Sequence, residues 1–219
     1  MRKFPSNNEV FLPKISMKVG VLANEWQKEE LLLKQNPANI EFSFKNSLEE
    51  LMADSEAAAL FILKEEINSI PSISKPIFIN STLKTLEELG TPKNIHRING
   101  WATFIKRDLW EVATQDEQGL KQIMTAFQYK YIIVKDEPGL VASRVISMII
   151  NEAYFALEEN VSTKKEIDTA MKLGTNYPYG PFEWAEKIGL KNIVSLLTEL
   201  SLNEKRYQPA GLLLKEAIE

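Results

Sequence analysis

The chain has no cysteine. Disulfides, thiol nucleophiles and cysteine-based metal sites are therefore excluded. It has one histidine, His96, so a His–His or His–Cys metal site cannot form and no metal is expected. Any imidazole chemistry in this subunit falls to that one residue. No long apolar run occurs either. The longest, AAALFIL from Ala57 to Leu63, is far short of the ~18 residues that span a bilayer. The opening MRKFPSNNEV lacks the apolar core of a signal peptide. A net charge of −4 gives no bulk attraction to nucleic acid or anionic membranes. These absences lead to the expectation of a cytoplasmic protein with no nucleic-acid or membrane partner.

What is present is ordinary for an ordered protein: 219 residues, 44% of them apolar and 26% charged. That length suits one large domain or two small ones. The chain divides near Asp136. Before it, apolar runs at Val19–Ala23, Ile40–Phe44, Ala58–Leu63, Pro76–Ile79, Ile95–Ile98, Leu109–Ala113 and Tyr131–Val134 read as strands. Helical patterns fall between them at Trp26–Lys34, Ser47–Ala53, Leu83–Leu89 and Glu117–Phe127. Alternation of this kind predicts a mostly parallel sheet with helices on its faces. After Asp136 the pattern is helical throughout. Pro138 is placed to start a helix running to Glu159. That helix is apolar on several faces, which predicts the centre of a bundle or a subunit interface. Thr163 and Glu166 form a capping box for the next helix, and Gly174 is placed to end it. Pro181 opens another helix, Gly189 stops it, and Leu190–Leu202 and Ala210–Ile218 follow as helices.

Within this second half, DEPGLVASRVISMIINEA is followed by IDTAMKLGTNYPYGPFEWAEKIGL. The series resembles the C-terminal helical domain of the 3-hydroxyacyl-CoA dehydrogenases. That family shows an aspartate and PG ahead of a long Arg-bearing helix, an NEA-like stretch, then I-D-x-A-M-x-x-G and Y-P-x-G-P-F-E. The first half resembles the family's NAD-binding domain through KVGVL, IFINST and LWEVA. The resemblance implies an α/β protein: a reduced Rossmann-like, mostly parallel sheet domain over residues 1–135, then an all-α dimerisation domain over 136–219. It implies a homodimer through the C-terminal helices, or a heterodimer with a full-length relative, and an acyl-CoA ligand. The family's long helical arm after the second strand is missing here, because Phe44 reaches Ala58 through little more than NSLEELMADSEA.

The resemblance also sharpens one scarcity. The stretch KVGVLANEWQKEELLLK runs from strand to helix with no glycine at the turn. In the fingerprint G-x-G-x-x-G the glycines allow the tight turn, the approach of the diphosphate and close helix–strand packing. Here they fall on Ala23, Glu25 and Lys28. At ~4 Å and an effective dielectric near 20, a carboxylate beside a phosphate costs about 4 kcal/mol per charge pair. The acid that would bind the ribose falls near Lys45 or Asn46, and neither is acidic. No cofactor is therefore expected, NAD being the alternative if the family's activity survives.

The family's catalytic set is likewise altered. Its general-base histidine falls on Asn99, whose amide cannot take a proton, while Glu111 of LWEVA keeps its orienting glutamate. Its asparagine falls on Ser143, and Ser81 or Thr82 keeps its serine-type hydroxyl. Strand alternation sends His96 and position 99 to opposite faces, so His96 reads as a strand-edge or surface residue. Arg144 reads as structural, and Tyr177, Tyr179, Phe182 and Trp184 as packing around the GP turn. The expected outcome is a degenerate family member, a pseudoenzyme kept for acyl-CoA binding or a partner role. The alternative is an active oxidoreductase of 3-hydroxyacyl-CoA using His96 and Glu111 as its acid–base pair.

Overall fold

A computed structural model describes residues 17–34, 36, 38, 40–64 and 73–218. Seven strands form one sheet: β1 Met17–Leu22, β2 Ile40–Lys45, β3 Ala59–Ile62, β4 Ile77–Asn80, β5 Ile95–Ile98, β6 Leu109–Thr114 and β7 Lys130–Ile133. Their order across the sheet is β2-β1-β3-β4-β5-β6-β7. All neighbours are parallel except β5 and β6. Helices α1 Glu25–Leu33, α2 Leu48–Met52 and α3 Glu117–Phe127 accompany the sheet. Five more follow: α4 Ala142–Glu158, α5 Lys164–Thr175, α6 Pro181–Ile188, α7 Leu190–Ser201 and α8 Gly211–Ile218. The mostly parallel sheet and the all-helical second half are therefore as expected.

Alternation along the strands sorts side chains into two layers. Val19, Val21, Phe61, Phe78 and Val112 pack on one face with Leu120 and Phe127 of α3. Leu22, Leu60, Ile62, Ile77 and Ile95 pack on the other with Leu51 of α2 and Leu86. A third core joins α4, α6, α7 and α8, and Trp101 and Phe104 from the β5–β6 connection enter it. The link from β2 to β3 carries only the five-residue α2, so the long helical arm is replaced by a short turn.

The motif residues of the helical half act as clamps. Asp168 on α5 accepts a hydrogen bond from the Phe182 amide at 2.8 Å, capping α6. A Cβ added at Gly180 would come within 2.2 Å of that carboxylate, which explains glycine there. Asn151 of the NEA stretch donates to the Gln208 carbonyl and accepts from the Ala210 amide, fixing the approach to α8. Thr163 and Glu166 do form a capping box, and Gly189 ends α6 at φ +92°.

Three element expectations are corrected. Leu83–Leu89 makes one hydrogen-bonded turn, from the Leu89 amide to the Thr85 carbonyl, and not a helix, because Gly90 at φ +58° takes the chain out of it. The long helix starts at Ala142, not Pro138: Gly139 and Leu140 have φ of +81° and +49°, and Gly139 donates to the Thr82 carbonyl. Gly174 lies inside α5, and Asn176 ends it in the left-handed conformation.

Candidate functional site

In an open parallel sheet, ligands bind beyond the carboxyl ends of the strands, where the chain order reverses. That point lies between β1 and β3. The turn after β1 is made by Ala23 and Asn24 without a left-handed residue. Glu25, expected to stand in the diphosphate's place, does not fill the crevice. Its side chain is 85% exposed and pairs with Lys28 at 2.6 Å. Lys28 also lies over the Phe44 ring, 5.6 Å from its centre. The residue that closes the crevice is Gln27, 1% exposed. Its Oε1 accepts from the Asn24 amide and its Nε2 donates to the Leu63 carbonyl at 2.7 Å. Asn80 donates to that same carbonyl from β4. Gln27 was not singled out from the sequence, although N-x-x-Q before a helix is a capping signal. At the end of β2, Lys45 is held by Asp54 at 2.9 Å, and the Asn46 amide caps onto Glu50. The bond from Lys45 keeps the Asp54 carboxyl down at about 2. These side chains provide no glycine cradle for a diphosphate.

The second part of the edge lies beyond β5 and β6. A cavity of about 280 Å³ is lined on its polar side by Asn99, Arg107 and Glu111. Phe104, Trp110, Leu109, Ile132 and Val141 form its apolar walls. The two positions that carry the base and its orienter in the family pattern, Asn99 and Glu111, thus face one space. Asn99 is 8% exposed, and its Oδ1 accepts from the Trp101 amide at 3.1 Å. Glu111 accepts from the amides of Val141 at 2.7 Å and Ala142 at 3.0 and 3.1 Å. Its carboxylate therefore satisfies the orphan N–H groups at the start of α4, where the helix dipole favours negative charge. Arg107 stacks on Phe104 at 3.9 Å and donates through Nε to the Thr103 carbonyl.

His96 is placed differently from expectation. It is 1% exposed in the interior of the sheet, not at an edge or surface. Its strand is flanked by β4 and β6, its Nδ1 lies 2.8 Å from the Thr114 hydroxyl, and its ring sits 5.0 Å from Phe78. Burial pushes its pKa down to about 4. His96 pairs with Thr114 and Ile98 with Val112, so Glu111 points to the opposite face. The structure does not bring His96 and Glu111 together. Ser143 is fully buried near the start of α4, and its hydroxyl has no partner among the described residues. Ser81 closes a turn onto the Lys84 carbonyl at 2.8 Å, and Thr82 is 6% exposed. Arg144 reaches Glu137 at 3.3 Å. A further buried ion pair, Arg97 with Asp136 at 2.5 Å, holds the segment ahead of α4 against the sheet. Among the described residues no cluster of three or more His, Asp or Glu side chains is arranged for a metal, and no helix is long and apolar enough to cross a membrane.

Comparison with known proteins agrees with the motif series. The family described as 3-hydroxyacyl-CoA dehydrogenase, C-terminal domain, matches residues 139–217. The 3-hydroxyadipyl-CoA dehydrogenase of Escherichia coli K12 is 45% identical over 87 residues, 39% of this chain and 18% of that protein. A probable 3-hydroxybutyryl-CoA dehydrogenase of Bacillus subtilis is 37% identical over 125 residues, 56% of this chain and 40% of that protein. The matched stretches span less than half the length of these relatives. Among solved structures, the (S)-3-hydroxybutyryl-CoA dehydrogenase PaaH1 of Ralstonia eutropha superposes with a TM-score of 0.67 over 90% of this chain and 92% of that one, at 18% identity. FadB2 of M. tuberculosis gives 0.71 at 13% identity, covering 91% and 93%. At such identities the likeness speaks for the fold. The motif series and these matches place the likeness in the helical half, where residues 139–217 match the C-terminal domain of the 3-hydroxyacyl-CoA dehydrogenases.

Proposed function

We propose that this chain binds an acyl-CoA thioester without oxidising or reducing it. It is a family member that has left NAD-dependent hydride transfer. The observation that carries this reading is the use made of Glu111. Its carboxylate is bonded to the backbone at the start of α4, its neighbour across the cavity is Asn99, and the one histidine lies on the other face of the sheet. A general base must reach the proton that it abstracts, and no imidazole reaches this cavity. The crevice at α1 supports the same reading, because Gln27 bridges it and Glu25 adds negative charge at the helix start. The residues at hand do not fit the dinucleotide in the ordinary way.

The second reading is a working NAD-dependent oxidoreductase of 3-hydroxyacyl-CoA in fatty acid metabolism. The relatives' names favour it, and Glu111 is in the right cavity for it. It requires a base that the cavity does not contain. For partners, we propose pairing through α4. This helix buries Ile146, Ile150 and Tyr154 but leaves Val145 51% exposed. Val145 borders an apolar groove of about 630 Å³ that is also lined by Met148, Ile149, Ile167 and Met171. The occupant is a second copy or a full-length relative. We also take residues 1–135 and 136–219 as two units.

Calorimetric titration with NADH tests the loss of cofactor binding. The expected result is no saturable heat at millimolar ligand. Saturation at micromolar ligand would restore the oxidoreductase reading.

A further inference from the structure

The amino ends of β4 and β5 lie at the edge of the sheet opposite the cavity of Asn99 and Glu111. At that edge β6 ends at Thr114 and α3 begins. A pocket of about 430 Å³ opens between the strand ends and α3. It shares no lining residue with the cavity of Asn99 and Glu111.

His96 lines this pocket, although the residue is 1% exposed. Its Nδ1 lies 2.8 Å from the Thr114 hydroxyl, and that oxygen accepts from the Asp116 amide at 3.0 Å. The hydroxyl proton has no other acceptor among the described residues. It is therefore donated to Nδ1, and the ring proton sits on Nε2. Nε2 makes no hydrogen bond among the described residues. Burial holds the pKa down at about 4, so the ring is neutral at neutral pH and Nε2 is a donor only. A buried donor left without a partner is costly, and an acceptor placed in the pocket satisfies it.

Asp116 supplies the complement. Its Oδ1 caps α3 by accepting from the Gly119 amide at 2.9 Å. A Cβ at position 119 would come within 2.2 Å of Oδ2, so glycine lets the carboxylate lie along the first turn of the helix. Oδ2 has no hydrogen bond or ion pair among the described residues. Asn94 donates both amide hydrogens, to the Ile73 and Lys75 carbonyls at 2.8 and 2.6 Å, which leaves its Oδ1 as a second acceptor. No Lys or Arg lines the pocket, so Asp116 sets its charge and anions are disfavoured. Pro76, Ile123 and Ala126 add apolar surface.

We propose that this pocket binds an uncharged amino-substituted nitrogen heterocycle, the class of the free amino nucleobases. A ring nitrogen accepts from His96 Nε2, the neighbouring amino group donates to Asp116, and the ring faces meet the apolar surface. At about 30 Å³ for each water-sized group, a pocket of about 430 Å³ holds roughly fourteen such groups, room for one or two fused rings.

Because His96 is the only histidine, its ring nitrogens can be followed alone in a long-range proton–nitrogen NMR spectrum of the full chain. The free protein is expected to show the Nε2–H tautomer. Adenine is expected to move the Nε2 signal saturably, with a Kd of about 1 mM or below. Purine, which lacks the amino group, is expected to bind at least about tenfold more weakly, because a hydrogen bond to a charged group is lost. Inorganic phosphate is expected to leave the signal in place. Asp116→Asn keeps a good helix cap and is expected to weaken adenine by roughly tenfold, the loss of that same bond. Ala126→Phe, at an exposed position of α3, fills the pocket and is expected to abolish the adenine shift while the protein stays folded. An Nδ1–H tautomer, no saturation by adenine, purine binding as tightly as adenine, or adenine binding unmoved by both variants would overturn the site. Each outcome leaves the acyl-CoA reading to its own test.

Discussion

At the residue scale, position matters more than identity. Glu111 is the glutamate that the family pattern calls for, yet its oxygens cap a helix. Removing a capping group costs about 1 kcal/mol, so Glu111→Ala should lower stability by that order in a urea titration, and Glu111→Gln by less. His96 is the only histidine, and its burial makes it a pH-dependent element of stability. Its folded-state pKa of about 4 lies below the usual 6.5. The unfolded chain therefore binds the extra proton first, and stability falls as pH drops from 6.5 toward 4. At about 1.4 kcal/mol per pKa unit, the full loss, reached below pH 4, is on the order of 3.5 kcal/mol. His96→Gln keeps a polar partner for Thr114, and its melting temperature should fall less between pH 7 and 4.5 than that of the parent. Arg97 offers a third test. Its side chain is fully buried against Asp136. Asp136→Ala would strand that charge, and breaking such a pair costs about 3 kcal/mol or more, measurable as a lowered denaturation midpoint.

At the element scale, the strands were legible because each is a short apolar run between breakers. The glycine-free turn was legible because the fingerprint has a fixed spacing from β1. Features set by distant partners were not. The start of α4 depends on Glu111, 30 and 31 residues away in sequence. The turn at Leu83–Leu89 is fastened by Asp136, 50 residues from Leu86. His96 lies inside the sheet because β6 turns back antiparallel against its strand, which no local pattern announces. Gln27 was within reach, since its capping position could be read from Asn24. Helix ends provide a check of the backbone account. Gln128 ends α3 in the left-handed region at φ +56°. Glycine is favoured there, so Gln128→Gly should raise stability by up to about 1 kcal/mol. A lowered denaturation midpoint would contradict the account of that cap.

At the scale of the whole molecule, sheet and helices meet through the connection from β5 to β6. It sends Trp101 and Phe104 into the helical core and leaves Asn99 and Arg107 at the cavity. Thr103 within it takes φ +77° and is held by Glu30 through its amide at 2.6 Å. The same molecule presents an apolar groove along α4. Met148→Glu would place a charge there, and the sedimentation coefficient should fall toward that of a monomer if α4 is the pairing face. The central proposal concerns chemistry: the cavity that holds Asn99 and Glu111 receives no imidazole, and Gln27 spans the crevice after β1 where the fingerprint would have glycine. Its most direct test is NADH consumption with acetoacetyl-CoA at high protein concentration, followed by absorbance. The account predicts no loss of NADH beyond the protein-free control. Turnover that scales with protein concentration would contradict it.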